Sequence, residues 1–179
     1  MSRFFLDANV LYPTVMREVL LGVAEAGLFV PRWSDRVLEE WARASVKLGP
    51  EGEVIARGEI AALSARFPDA RVRTAEDGRF WLPDPADIHV LATAVAASCD
   101  GIVTMNAKDF PRDILGEEGL VRRDPDGLLM ECLARDPAKV WEVGARVLAE
   151  ARRLSGEDWE MRRLMRKARL PRLGKALVA

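Results

Sequence analysis

The stretch Arg3-Phe4-Phe5-Leu6-Asp7-Ala8-Asn9 decides how the rest of the chain reads. Its apolar, aromatic core makes a short buried strand over residues 3–7, and the run stops on a carboxylate. In open α/β sheets ligands bind beyond the carboxyl ends of the strands, so an acid at that point stands where a site would form. Asp-Ala-Asn is also good turn chemistry. A turn-starting aspartate and a metal ligand therefore fit Asp7 equally.

Working outward, Pro13 suits the first turn of a helix running to about Ala26, with Gly27 as its stop. Leu28-Phe29-Val30-Pro31 is a brief extended piece, and Ser34 is a good N-cap for a helix reaching about Leu48. A further helix covers residues 51–67. Residues 69–83 read as a loop with a short strand at Ala70-Arg71-Val72-Arg73. Asp84-Pro85 starts a helix to about Cys99, which Asp100-Gly101 turns into a strand over 101–105; Leu120-Val121-Arg122 is one more strand. From Asp124 onward the pattern predicts three helices, interrupted near Asp136-Pro137 and Ser155-Gly156. Helices alternating with short buried strands imply a parallel sheet flanked by helices, to which the C-terminal helices are extra.

On this frame several polar groups fall at strand ends and helix starts. In the helix from Ser34, helical spacing puts Val37, Leu38, Trp41, Ala44 and Leu48 on one apolar face. Glu40 falls at its border and can reach inward, whereas Glu39 points nearly opposite, toward solvent. Asp87 lies on the apolar face of the next helix, with Ile88, Leu91, Ala94 and Val95. An acid in a first turn gains roughly 0.3–1 kcal/mol from the helix dipole. An inward-facing carboxylate costs several kcal/mol, so a bound cation accounts for Asp87 better than capping does. Asp84 is mainly a cap, with a supporting role beside the ligands as its other reading. Thr104 suits either a hydrogen bond to a ligating carboxylate or plain strand packing. Asn106 offers an amide oxygen but no charge, which Asp109 could supply instead if it is not simply a turn residue.

Composition removes competing classes. A chain of 179 residues, 49% apolar, suits one domain with a small appendage. No apolar run approaches the roughly 20 residues of a membrane span, and Asp7 interrupts any signal-peptide pattern. Cys99 and Cys132 form no zinc pattern and no disulfide framework, so a reduced, cytoplasmic protein is expected. The single His89 projects opposite the core face of its helix, leaving a Ser-His-Asp or Cys-His site little to build on. No glycine-rich phosphate loop follows the first strand. A phosphoryl-accepting receiver or phosphatase should end that strand in paired acids, and only one is present. Net charge is −1, yet Arg162, Arg163, Arg166, Lys167, Arg169, Arg172 and Lys175 form a basic block without an acid. Phosphate, an acidic partner or solvent could each face it.

Taken together, Leu6-Asp7-Ala8-Asn9-Val10-Leu11 and Trp33-Ser34 with Leu38-Glu39-Glu40 resemble the PIN-domain nucleases. Leu82-Pro83-Asp84-Pro85-Ala86-Asp87-Ile88-His89-Val90-Leu91-Ala92-Thr93-Ala94 is similar to the block that carries the family's third acid. Gly101-Ile102-Val103-Thr104-Met105-Asn106-Ala107-Lys108-Asp109-Phe110 resembles the block that follows it. These motifs stand in the family's order over residues 3–111. Asp124-Pro125-Asp126 and the helices after it resemble a bacterial, VapC-like toxin subgroup. The resemblance implies a Rossmann-like three-layer α/β/α PIN domain over residues 1–123, with a helical extension and basic tail over 124–179. It implies Mg²⁺- or Mn²⁺-dependent hydrolysis of RNA phosphodiester bonds, with Asp7, Glu40 and Asp87 as catalytic, metal-holding triad. Asn9, Thr104, Asn106 and Asp109 would support that triad or the substrate, and Arg162, Arg163, Arg166, Lys167 and Arg169 would track the RNA backbone. A toxin of a type II toxin-antitoxin pair would bind a cognate antitoxin and form a homodimer. One departure matters: many members carry aspartate where this chain has Asn106. The alternative reading is therefore a catalytically weakened module that binds RNA or a protein partner.

Overall fold

β1 (Arg3–Leu6) is the central strand of a five-stranded parallel sheet in a Rossmann-like α/β fold. The sequence order across the sheet is 3-2-1-4-5, where β2 is Val30–Ser34, β3 Arg71–Val72, β4 Gly101–Val103 and β5 Val121–Arg123. The computed structural model describes residues 1–76 and 78–179, which fall into two compact units. One comprises Met1–Tyr12 with Val30–Arg122, the other Pro13–Phe29 with Arg123–Ala179.

In the first unit β1 pairs with β2 on one side and β4 on the other, with Phe5 opposite Arg32 and Ile102. Phe4, Phe5, Leu6, Trp33, Ile102 and Val103 are buried, so the sheet forms the core. The chain leaves β1 toward β2 and β3, then returns to β4 and β5, which makes the β1–β4 boundary a topological switch point. Gly101 is required where β4 runs closely between β1 and β5. A Cβ there would lie 2.7 Å from the Phe4 ring and 2.6 Å from the Val121 carbonyl oxygen. The flanking helices of this unit are α1 (Ala8–Leu11), α3 (Asp35–Ala44), α4 (Gly52–Arg66), α5 (Ile88–Ala96) and α6 (Arg112–Glu117).

Several local expectations change. β1 stops at Leu6 because Asp7 turns out of the strand and caps α1, accepting from the Ala8 amide at 2.8 Å. The helix from Ser34 ends at Ala44, and Ser45–Leu48 tightens into a 3₁₀ turn as the Ser45 hydroxyl donates to the Trp41 carbonyl at 3.0 Å. Leu48 therefore leaves the apolar face and stands 67% exposed. The helix from Asp84 opens as a 3₁₀ turn, Pro85–Asp87, and the strand expected over 101–105 ends at Val103. Neither α1 nor α6 was expected; each is too short to show a period.

The second unit holds α2 (Thr14–Glu25), α7 (Pro125–Arg135), α8 (Pro137–Ser155), α9 (Met161–Lys167) and α10 (Pro171–Ala176). Four helices, not three, follow Asp124, because Arg169 takes a left-handed φ of 63° and Pro171 restarts the chain as α10. The buried Asp126 on α7 holds that restart: its carboxylate accepts from the amides of Arg172 at 2.9 Å and Leu173 at 3.0 Å. Among the described residues no helix is long and apolar enough to cross a membrane.

Candidate metal centre

Asp7 leaves β1 beside the end of β4, its amide donating to the Val103 carbonyl at 3.1 Å. Its carboxylate is 5% exposed and closely held. Oδ1 accepts from the Ala8 amide, while Oδ2 accepts from the Thr104 hydroxyl at 2.9 Å and the Asn9 side-chain amide at 3.1 Å. Asn9 in turn accepts from the Met105 amide at 3.0 Å, and Thr104 from the Asn106 amide at 3.0 Å. These bonds tie the strand end to the chain after β4. Burial pushes the Asp7 carboxyl above its ordinary value; the hydrogen bonds from Thr104 and Ala8 oppose this, and the Glu40 charge adds to it.

α3 presents its two adjacent acids to different surroundings. Glu39 accepts from Arg57, at 2.9 Å to each oxygen, and from Arg43 at 3.2 Å. Those cations hold its carboxyl down at about 2. Glu40 turns the other way, where its charge acts on Asp7 and Asp87 and its Oε1 lies 2.6 Å from His89 Nε2. Arg36 reaches the same carboxylate at 3.9 Å.

His89 corrects the sequence reading. It is 3% exposed, not solvent-facing, because α5 is covered on more than one side. β1 and β4 pack on α5, Glu40 of α3 meets it at His89, and the Ala75 amide donates to Thr93 at 3.0 Å. A helical wheel with one core face cannot describe such a helix. Neither ring nitrogen makes a well-directed hydrogen bond among the described residues, the Glu40 contact being close but poorly aligned.

The tightest grouping of acids is Asp84, Asp87 and Asp109, each with one oxygen within 4.8 Å of the others. Asp84 caps the 3₁₀ turn through Oδ1, which accepts from the Ala86 amide at 2.9 Å. Three residues per 3₁₀ turn then bring Asp87 round to the same side. Asp109, at the end of another 3₁₀ turn, accepts from the Asn106 side-chain amide at 2.9 Å. Asn106 thus places an acid at the site without being one.

Asp87 senses every one of these groups. Burial first, then the charges of Asp7, Asp84, Asp109 and Glu40, push its carboxyl up to about 6. Among the described residues Asp87 shares its close grouping with Asp84 and Asp109, while Asp7 and Glu40 act on it through their charges without joining that group. An all-oxygen, strongly anionic donor set whose central member resists ionisation fits a hard divalent cation. Asp7, Asn9, Thr104, Asn106 and Asp109 are linked by hydrogen bonds at the ends of β1 and β4, and Asp87 and Glu40 stand near enough for their charges to act on these acids. Asp84 joins Asp87 and Asp109, in keeping with the supporting role its position allowed, and His89 stands beside Glu40, which only its buried position reveals.

The basic block stands in the second unit. Arg162, Arg163, Arg166, Lys167 and Arg169 are all exposed. Arg163 and Lys167 lie over the Trp159 ring at 5.1 and 5.0 Å. Arg172 reaches Asp126 at 3.5 Å and Asp124 at 3.7 Å. The second unit therefore uses part of this charge for itself.

The model of one protein family, described as PIN domain, matches residues 3–108, which hold nearly all of these acids. No curated protein and no solved structure matches the chain.

Proposed function

Because the chain belongs to the PIN domain family, whose fold is of the nuclease type, we propose that it is a divalent-metal-dependent endoribonuclease, acting as the toxin of a toxin-antitoxin pair. The observation that carries the catalytic reading is Asp87, half-buried among four other carboxylates, where burial first and then their charges push its carboxyl up to about 6. Such a cluster repels an anionic phosphodiester unless something reverses its field. A bound Mg²⁺ or Mn²⁺ would do so, polarising a phosphate oxygen and lowering the pKa of the water beside it. Asp7, Glu40 and Asp87 would hold the cation, and Asp84 and Asp109 would extend the set around Asp87.

The chain's own groups prepare this arrangement. Thr104 and Asn9 fix the Asp7 carboxylate in one orientation. Glu40, at 39% side-chain exposure, is far more open than Asp7, which suits it to orient an attacking water. His89 sits against Glu40, with its Nε2 2.6 Å from Glu40 Oε1. Asn106 holds Asp109, so the missing acid at position 106 is made up at 109. Exposed Arg162, Arg166 and Arg169 would meet the RNA backbone, and an antitoxin and a second copy of the chain would be the protein partners.

The test is cleavage of structured and single-stranded RNAs with Mg²⁺, Mn²⁺ or EDTA, by wild type, Asp7→Asn and Asp87→Asn. Metal-dependent cleavage that both substitutions abolish supports the reading. RNA binding without cleavage would replace it with the weakened module, and cleavage that persists in both variants would move the site elsewhere.

A further inference from the structure

A cavity of about 300 Å³ is built by stretches of chain that neighbour the acids in sequence. Phe80 and Trp81 line it from the loop just before Asp84. Leu91 lines it one helical turn, about 6 Å, beyond Asp87. Ile114, Glu117 and Glu118 line it from α6, which follows Asp109. Trp81 is 65% exposed and lines the cavity, so its ring is open to a ligand there. Arg79 also borders the cavity and lies 5.5 Å over the Phe80 ring.

We propose that this cavity is a nucleobase subsite that selects guanine, next to the phosphodiester held at the acids. The purpose assigned to it rests on the ribonuclease reading above; the choice of ligand rests on the cavity alone. A flat aromatic face that remains open beside a phosphate-handling site is a stacking platform, and stacking needs an unpaired base. The polar rim then chooses among the bases. The carboxylates of Glu117 and Glu118 accept and do not donate, so they select a base edge that presents donors. Guanine offers two parallel donors, N1–H and the N2 amino group, which match the two oxygens of one carboxylate. Adenine and cytosine offer a single amino group, and uracil a single imino proton. Carboxylates at the rim also disfavour a phosphate inside the cavity, so the base enters and the backbone stays outside.

The experiment reads binding, not cleavage. In ¹⁵N-labelled full-length protein the five tryptophan indole N–H signals are recorded, that of Trp81 being assigned by its loss in Trp81→Phe. GMP, AMP, CMP and UMP are titrated separately. GMP should shift the Trp81 signal saturably, with the other three binding about tenfold or more weakly. In the Glu117→Gln/Glu118→Gln double variant that preference should fall by about the same factor while stacking persists. No shift with any nucleotide, equal shifts with all four, or an unchanged preference in the double variant would each overturn the proposal. A protein that cleaves RNA yet shows no GMP preference loses this inference alone. One that prefers GMP yet cleaves nothing loses the ribonuclease reading instead.

Discussion

Replacing Asp87 with Asn should stabilise the metal-free protein, although it removes a central acid of the site. The Asp87 carboxyl rises from an ordinary 3.8 to about 6. A difference of that size corresponds to about 3 kcal/mol between its two protonation states. Solvent screening at a half-buried group cuts this to about 1–2 kcal/mol. Asn also gives up a helix-dipole interaction of about 0.5 kcal/mol. The net gain is about 1 kcal/mol at pH 7.5, or a Tm increase of roughly 2–4 °C for a chain of this size. The sign depends on pH. A carboxyl whose folded pKa is raised contributes stability that is complete below 3.8 and lost as pH climbs through about 6. The advantage of the variant should therefore shrink by about half at pH 5 and vanish near pH 4. Thermal unfolding in EDTA at pH 7.5 and pH 5, repeated with Mn²⁺ at pH 7.5, measures all of it. Mn²⁺ should raise wild type above the variant, since only wild type keeps the full ligand set. A variant that is less stable in EDTA at pH 7.5, or whose advantage is the same at pH 5, would refute the reasoning.

Protons should compete with metal for Asp87, so Mn²⁺ affinity should fall by about tenfold per pH unit below about 6; titration calorimetry at pH 5 and 7.5 decides this, and a flat profile would sink it. Thr104→Val should cost about 1–3 kcal/mol in urea unfolding, because the Asp7 carboxylate loses its 2.9 Å donor and the Asn106 amide its acceptor. Thr104→Ser, which keeps the hydroxyl, should recover most of that, and equal losses in both would point to lost packing instead. Asp126→Ala should cost about 2–4 kcal/mol, since two amides at the start of α10 lose a buried carboxylate; an unchanged unfolding midpoint would contradict the role given to Asp126.

Some of this architecture could be read from the chain before any coordinates. Asp7 and Asp87 mark a strand end and a helix start, where composition changes abruptly. Choosing Glu40 over Glu39 needed only the angle between neighbouring helical residues. What escaped was set by contacts remote in sequence. His89 could not be placed because a wheel assumes a single buried face, and α5 is covered by the sheet and also touches α3. The apolar face of α3 was extended to Leu48 because nothing local announces that Ser45 will bond back to Trp41. The grouping of α2 with the C-terminal helices was equally invisible. It rests on contacts such as Gly22 against Val143, where a Cβ would lie 2.6 Å from the valine methyl. α10 depends on Asp126, a carboxylate more than forty positions upstream.

The hydrogen bonds around Asp7 also bear on which cation the site would accept. A carboxylate has about four lone-pair positions, and three of those on Asp7 are filled, by Ala8, Asn9 and Thr104. Both positions on Oδ2 are taken, so one direction on Oδ1 remains. Asp7 can then act only as a monodentate ligand. Ca²⁺ favours six to eight oxygens and readily draws both atoms of a carboxylate, whereas Mg²⁺ demands an octahedron of single oxygens. A threonine at the exit of the neighbouring strand thus limits the denticity open to an aspartate 97 positions away, and a metal site built on that aspartate would suit the smaller ion better than the larger one.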